Sequence, residues 1–283
     1  MRSNLKEIYI NMNKVEMITK SKYILRKNPI FQVNEFIKSI EPKLNNNFIN
    51  NLQTLKIEDE CDYQNAYDYE TNTLFCKDSK SDVYGLLHVA SNDLCKNYTG
   101  VIIDDEIGYA LNNGLTEAYT KIINNKKPNY SLEVLVANKL LEIDFKNVSR
   151  SYFKNEGNDL LELFFEIRPL MQALDCYHDN SFTLISLYRQ LFSERMKKFK
   201  NNDEIEKINY NIDIFENANI DNIFNVLYDL INLINFSNIE GSEKQRLLLE
   251  LRKDFGKLLK LEQFSYLNVL PLDFVADTKK RIR

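Results

Sequence analysis

Two stretches of the chain carry the side chains best suited to chemistry. The first is Asp82-Val-Tyr-Gly-Leu-Leu-His-Val-Ala-Ser91, and the second is Ile107-Gly-Tyr-Ala-Leu-Asn-Asn-Gly-Leu-Thr-Glu-Ala-Tyr119. The first holds His88, one of 2 histidines in the chain, and the second holds Glu117. A histidine and a carboxylate that meet in the fold can bind a metal ion or transfer a proton. The simpler interpretation of His88 alone, on a short apolar helix, is a hydrogen-bonded core histidine.

Together the two stretches resemble the active-site helices of gluzincin-type zinc metallopeptidases. In those enzymes one helix carries H-E-x-x-H, whose histidines bind zinc and whose glutamate activates a water molecule. A second helix carries N-E-x-x-[ST]-[DE], which supplies the third ligand. The resemblance is strongest to a bacterial family with the approximate pattern H-E-L-x-H-x-A-S and then G-x-A-L-N-E-G-x-T-E-Y. It covers about residues 61–165, and its matching residues are His88 with Val89-Ala90-Ser91, then Gly108, Ala110, Leu111, Asn112, Gly114, Thr116 and Glu117.

The positions that zinc hydrolysis needs most are altered in this chain. Tyr84 stands where the resemblance places the first histidine ligand, Gly85 where it places the catalytic glutamate, and Asn113 where it places the third ligand. Catalytic zinc is held by three protein ligands. A phenol with a pKa of about 10 is a poor ligand at neutral pH, and an amide carbonyl suits harder cations than zinc. With Gly85, no neighbouring carboxylate remains to activate water.

The resemblance therefore implies a degenerate site with no catalytic residue, no bound metal and no other cofactor. Its members are Tyr84, Gly85, His88, Asn113 and Glu117, of which His88 and Glu117 are the remaining candidate ligands. In the family the acid at Glu117 orients a ligand. A lone buried carboxylate is costly, so we expect Glu117 to pair with His88 or with the hydroxyl of Tyr84.

Two further groups have simpler explanations. Asp104-Asp105-Glu106 is an acidic cluster of the kind that the helix dipole favours in a first turn. His178, within Cys176-Tyr-His-Asp179, is predicted to be a surface histidine in a loop after a helix. The alternative is a Cys176/His178 nucleophilic pair, although the two residues are only two positions apart and no orienting acid beyond Asp175 or Asp179 is evident.

Composition excludes several classes of function. The 283 residues carry a net charge of −4, with a pI near 5.5, so the chain lacks the basic surface that general nucleic-acid or acidic-membrane binding requires. We interpret the basic end at 279–283 as a solvated tail. The four cysteines form no C-x-x-C pair. No apolar run reaches about 18 residues, and no signal-peptide core is visible, so we expect a cytoplasmic protein without a membrane span.

The scarcity of Gly (7) and Pro (5) favours helices over a turn-rich β fold. We predict a mainly α (α+β) zincin-like helical fold, with a small β element at 61–76 and a hairpin across Glu70–Asn72. An N-terminal lobe, 1–128, holds the degenerate zincin helices at about 82–90 and 106–124, and a helical lobe, 129–283, packs on it. Helical stripes are predicted around Leu132, Leu160, Phe182, Ile223 and Leu251, with Asn219 as an N-cap and a loop at 201–207.

Three functions follow from these residues. The first is a pseudo-peptidase that binds an unknown peptide or protein without cleaving it. The second is a metal-dependent hydrolase with a rebuilt site, and the third is a helical interaction protein unrelated to zincins. The altered hydrolytic positions favour the first, so we expect a protein that is not an enzyme.

Overall fold

The computed structural model describes residues 29–40, 56–58, 66–68, 71, 73–75, 100–103, 106–124, 131–197 and 202–265. Within them the fold is mainly α, as predicted. The elements in chain order are α1 (Pro29–Ile40), β1 (Lys56–Glu58), β2 (Ala66–Asp68), β3 (Thr73–Phe75), α2 (Tyr109–Asn124), α3 (Leu132–Lys154), α4 (Asn158–Leu163), α5 (Ile167–Met196), α6 (Asn202–Phe236) and α7 (Gly241–Ser265).

The strands form a small sheet in the order β1-β3-β2. β2 and β3 pair antiparallel, which confirms the predicted hairpin, and Tyr67 lies opposite Leu74. β1 pairs with β3 in parallel. It lies before residues 61–76, the region in which the sequence predicted strands.

Helix α3 follows its sequence signals closely. The Ser131 hydroxyl accepts a hydrogen bond from the Val134 N–H at 3.3 Å, which satisfies one first-turn donor. Asn155 ends the helix in the left-handed conformation that asparagine tolerates well. Leu135 and Leu140 of the predicted stripe are buried. The helix is kinked at Asp144, whose backbone leaves the helical region.

The main core lies where α2 packs along α3, with α1, α5, α6 and α7 around them. At its centre the rings of Tyr119, Tyr152 and Phe153 stand 4.8 to 5.0 Å apart. The polar ends of both tyrosines are satisfied: the Tyr119 hydroxyl donates to Ser149 Oγ at 3.0 Å, and the Tyr152 hydroxyl lies 2.7 Å from Thr116 Oγ1. Burial raises the pKa of the Tyr119 phenol far above its ordinary value, so this residue is a neutral core side chain.

Helices α2 and α3 approach closely at Gly114. A Cβ atom at this position would lie 2.3 Å from the carbonyl oxygen of Glu133, in the first turn of α3. The glycine therefore permits a backbone contact between the two helices that any larger residue would prevent.

Helices α5 and α6 form a long antiparallel pair. A second apolar cluster lies between the C-terminal half of α5 and the N-terminal part of α6, and its buried members among the described residues are Leu184, Tyr188, Leu191, Ile208 and Ile212. The Tyr188 hydroxyl also donates to Glu216 Oε1 at 2.6 Å. Among the described residues, no helix is both long and apolar enough to cross a membrane.

Several predicted boundaries within α5 and α6 are wrong. The polar stretch from Asn202 onward is helical rather than a loop, because the packing of α6 on α5 outweighs its weak local signal. Asn219 is a buried interior residue and not an N-cap, since its side chain donates across the helix pair to Ser181 Oγ at 3.2 Å. His178 lies within α5 and not in a loop. Pro169 falls in the first turn of α5, where its missing N–H is not needed.

Candidate functional site

A cleft lies between the start of α2 and the middle of α5. Its volume is about 320 Å³, and it is lined by Glu106, Tyr109, Asn113, Asp175, His178, Asp179 and Phe182. The four residues from α5 are spaced i, i+3, i+4 and i+7, so they share one face of that helix.

Asp175 fixes one wall of the cleft by capping α2 from another helix. Its Oδ2 accepts a hydrogen bond from the Gly108 N–H at 2.7 Å, and its Oδ1 accepts one from the Ala110 N–H at 2.8 Å. These are donors that a helix N-terminus leaves unsatisfied. Partial burial raises the pKa of the Asp175 carboxyl, and the two backbone hydrogen bonds oppose that shift. Gly108 has a φ of +103°, which explains why a glycine stands there.

His178 joins α5 to the first turn of α3. Its Nδ1 lies 3.1 Å from Glu133 Oε1, and both side chains are mostly buried. This hydrogen bond raises the pKa of His178, while partial burial acts in the opposite direction. The carboxylates of Asp175 and Asp179 also favour the charged imidazolium. In the cleft, His178 is thus hydrogen-bonded to the carboxylate of Glu133 and lies near the carboxylates of Asp175 and Asp179.

The His178–Glu133 pair predicts a stability that falls as the pH rises. A histidine whose folded-state pKa is raised stabilises the fold fully below its ordinary value of 6.5, and this contribution is lost as the pH passes through the raised pKa. We expect the free energy of unfolding to be about 0.5–1 kcal/mol greater at pH 6 than at pH 8.5. Urea unfolding at both pH values measures it. His178→Gln and Glu133→Gln should each remove most of the difference, and an unchanged difference in both variants would assign it to other groups.

Asn113 is the predicted site residue that the structure places in the cleft. Its side-chain oxygen is buried and accepts no hydrogen bond within the described part of the chain. A buried amide oxygen without a donor is costly, so a ligand donor that reached it would relieve that cost.

Glu117 lies one turn further along α2 and forms an ion pair with Lys121, with Oε1 2.5 Å from Nζ. The expected partners of Glu117, His88 and Tyr84, lie outside the described residues, as do Gly85 and the predicted helix at 82–90. The predicted packing of the helix at 82–90 against α2, which would bring His88 and Tyr84 to Glu117, therefore stays a prediction.

The other matching residues of the second stretch have structural roles in this fold. Asn112 is fully buried, and its Oδ1 accepts a hydrogen bond from the Val101 N–H at 3.2 Å. Gly114 permits the contact with α3, and Thr116 meets the hydroxyl of Tyr152. The residues of the second stretch that match the metallopeptidase pattern are therefore the residues that pack α2 into the core.

Sequence analysis missed the contribution of α5 to the site. The spacing of Asp175, His178, Asp179 and Phe182 was a usable signal, but it was hidden because His178 was assigned to a loop. Cys176 is exposed and lies two positions from His178, on a different side of the helix, so the alternative nucleophilic pair is not assembled. Across the described ranges, no group of three or more His, Cys, Asp or Glu side chains is arranged to hold a metal ion.

Searches against protein-family models, curated proteins and solved structures find no match to this chain.

Proposed function

We propose that this chain is a catalytically inactive, metallopeptidase-like protein, a pseudo-peptidase, and that the cleft between α2 and α5 binds a segment of peptide or protein. The observation that carries the proposal is the position of Asn113. This residue, at which the resemblance expects the third zinc ligand, borders a cleft and has a buried, unsatisfied acceptor oxygen. A peptide N–H is a natural donor to such an oxygen.

The walls of the cleft favour a peptide over a small polar metabolite. Tyr109 and Phe182 are 43% and 61% exposed, and aromatic rings of this kind supply contact area at low entropic cost. The volume is at the small end of ligand sites, which suits one or two side chains of a longer segment. Three of the lining residues, Glu106, Asp175 and Asp179, are acidic and none is a lysine or arginine, so a segment with a lysine or arginine is preferred over an acidic one.

The proposal also includes features that rest on sequence reasoning. The helix at 82–90 would pack against α2 in the zincin manner, and the chain would divide into lobes near residue 128. A cytoplasmic location belongs to the same proposal, and there Cys176 would remain a free thiol.

Fluorescence polarisation with labelled peptides tests the binding. We expect a mixture of lysine-containing peptides to bind, and the same mixture with acetylated lysines to bind about tenfold more weakly, which corresponds to about 1.4 kcal/mol. Phe182→Ala and Asp179→Asn should each weaken binding by a similar factor. Phe165→Ala and Asp203→Asn are the matched controls, because both residues are exposed and lie outside the cleft.

Two outcomes would contradict the proposal. One is binding that the cleft variants leave unchanged. The other is chelator-sensitive cleavage of casein or of the same peptides by the purified protein, because turnover would require an intact metal site.

A further inference from the structure

Helix α6 exposes a stripe of large apolar side chains on one side, separate from the cleft. The stripe consists of five large side chains that are each between 44% and 67% exposed: Tyr210, Ile214, Ile220, Phe224 and Tyr228. A single exposed apolar residue is ordinary, but five large ones along one side of a helix indicate an interaction surface.

The stripe occupies one side of the helix. At 3.6 residues per turn, its members fall within about a third of the circumference. The residues that α6 buries, among them Ile212, Ile223 and Leu230, fall on the far side, against α5 and the main core. From Tyr210 to Tyr228 the stripe is about 27 Å long, which is about five helical turns.

The charged residues that α6 itself carries along the stripe have one sign. Between residues 208 and 236 the sequence contains no lysine or arginine, whereas it contains Asp213, Glu216, Asp221 and Asp229. Asp213 and Asp221 are exposed, and helical geometry places both within the angular range of the stripe. The surface is therefore apolar along its length and acidic among its apolar residues.

We infer that this stripe is a docking surface for a basic amphipathic helix of a partner protein. A helix with an apolar face would cover Phe224 and Tyr228, and lysines or arginines beside that face would meet Asp213 and Asp221. A second copy of this chain is a poorer occupant, because the same face would bring carboxylates against carboxylates. The inference does not depend on the function proposed for the cleft.

The test uses the full chain and a synthetic helix as the probe. The probe is a labelled 20-residue peptide with leucines on one face and lysines on the others, and a second peptide replaces every lysine with glutamate. We expect the lysine peptide to bind at least tenfold more tightly, and raised salt to weaken its binding. Phe224→Ala with Tyr228→Ala should weaken it by at least tenfold, and Asp213→Asn with Asp221→Asn by about threefold to tenfold.

Matched controls separate the stripe from general stickiness. Phe165→Ala with Leu249→Ala removes two exposed apolar side chains elsewhere. Asp203→Asn with Glu204→Gln removes two exposed charges from the first turn of α6. Both controls should bind the probe as the unmodified chain does.

Three results would overturn the inference. The first is equal binding of the two peptides, or equal losses in stripe and control variants. The second is a concentration-dependent mass in light scattering that Phe224→Ala with Tyr228→Ala abolishes, which would assign the stripe to a second copy. The third is binding of phosphatidylcholine vesicles through the same residues.

Discussion

Replacing Gly114 with alanine is expected to lower the free energy of unfolding by about 2 kcal/mol. The new Cβ would lie 2.3 Å from the carbonyl oxygen and 2.6 Å from the carbonyl carbon of Glu133. These are backbone atoms in the first turn of α3, so they cannot move aside as a flexible side chain would. Overpacking of this kind costs about 1–3 kcal/mol and sometimes more, and it exceeds the gain of about 1 kcal/mol that alanine brings to a helix. Urea unfolding measures the change.

Gly256→Ala is the matched control for that substitution. Gly256 also lies within a helix, α7, but a Cβ there would meet nothing within 4 Å. Only the helix propensity then changes, so we expect a gain of about 1 kcal/mol. The contact between α2 and α3 would be looser than described if Gly114→Ala also stabilised the protein.

Restoring the three altered hydrolytic positions is expected to create a zinc site. The variant Tyr84→His, Gly85→Glu, Asn113→Glu would regain two ligands and the general base that the resemblance implies, with His88 as the remaining ligand. Zinc at about one hundred times its dissociation constant would raise the free energy of unfolding by about 2.7 kcal/mol. Elemental analysis after dialysis should find one zinc per chain, and the melting temperature should rise when zinc is added.

Two variants control for chance binding by the new carboxylates. Asn113→Glu alone adds one carboxylate near Glu106, Asp175 and Asp179 but leaves Tyr84 and Gly85 unchanged, so it tests whether the acids of the cleft bind zinc by themselves. The triple variant with His88→Ala lacks one ligand. Neither should retain zinc. If the triple variant also stays empty, helix 82–90 does not lie against α2 in the zincin manner.

The sequence predicted the helices best where local signals and packing agree. In α3 the predicted apolar stripe around Leu132 is confirmed, and the cap at Ser131 and the end at Asn155, which were not predicted, favour the same helix. The hairpin of β2 and β3 was also predicted from a short tyrosine-rich stretch. In these segments the residues that decide the conformation are neighbours in the sequence.

Prediction failed where distant residues decide the conformation. Asn219 resembles an N-cap by type, yet its partner is Ser181 on another helix. The first turn of α6 is polar and would be a weak helix alone, and its contact with α5 supplies the missing stability. Of the site, Asn113 and Glu117 could be found from motif spacing. Glu133 could not, because it meets His178 only through a contact between helices.

The capping of α2 by Asp175 also bears on how the chain folds during synthesis. The acceptor lies 67 and 65 residues beyond the two N–H groups that it satisfies. At about 5–20 residues per second, a ribosome needs several seconds to make that length of chain, and more to free it from the exit tunnel. Throughout that interval the nascent start of α2 depends on water for its hydrogen bonds, so the N-terminal half cannot complete its native structure ahead of the C-terminal half.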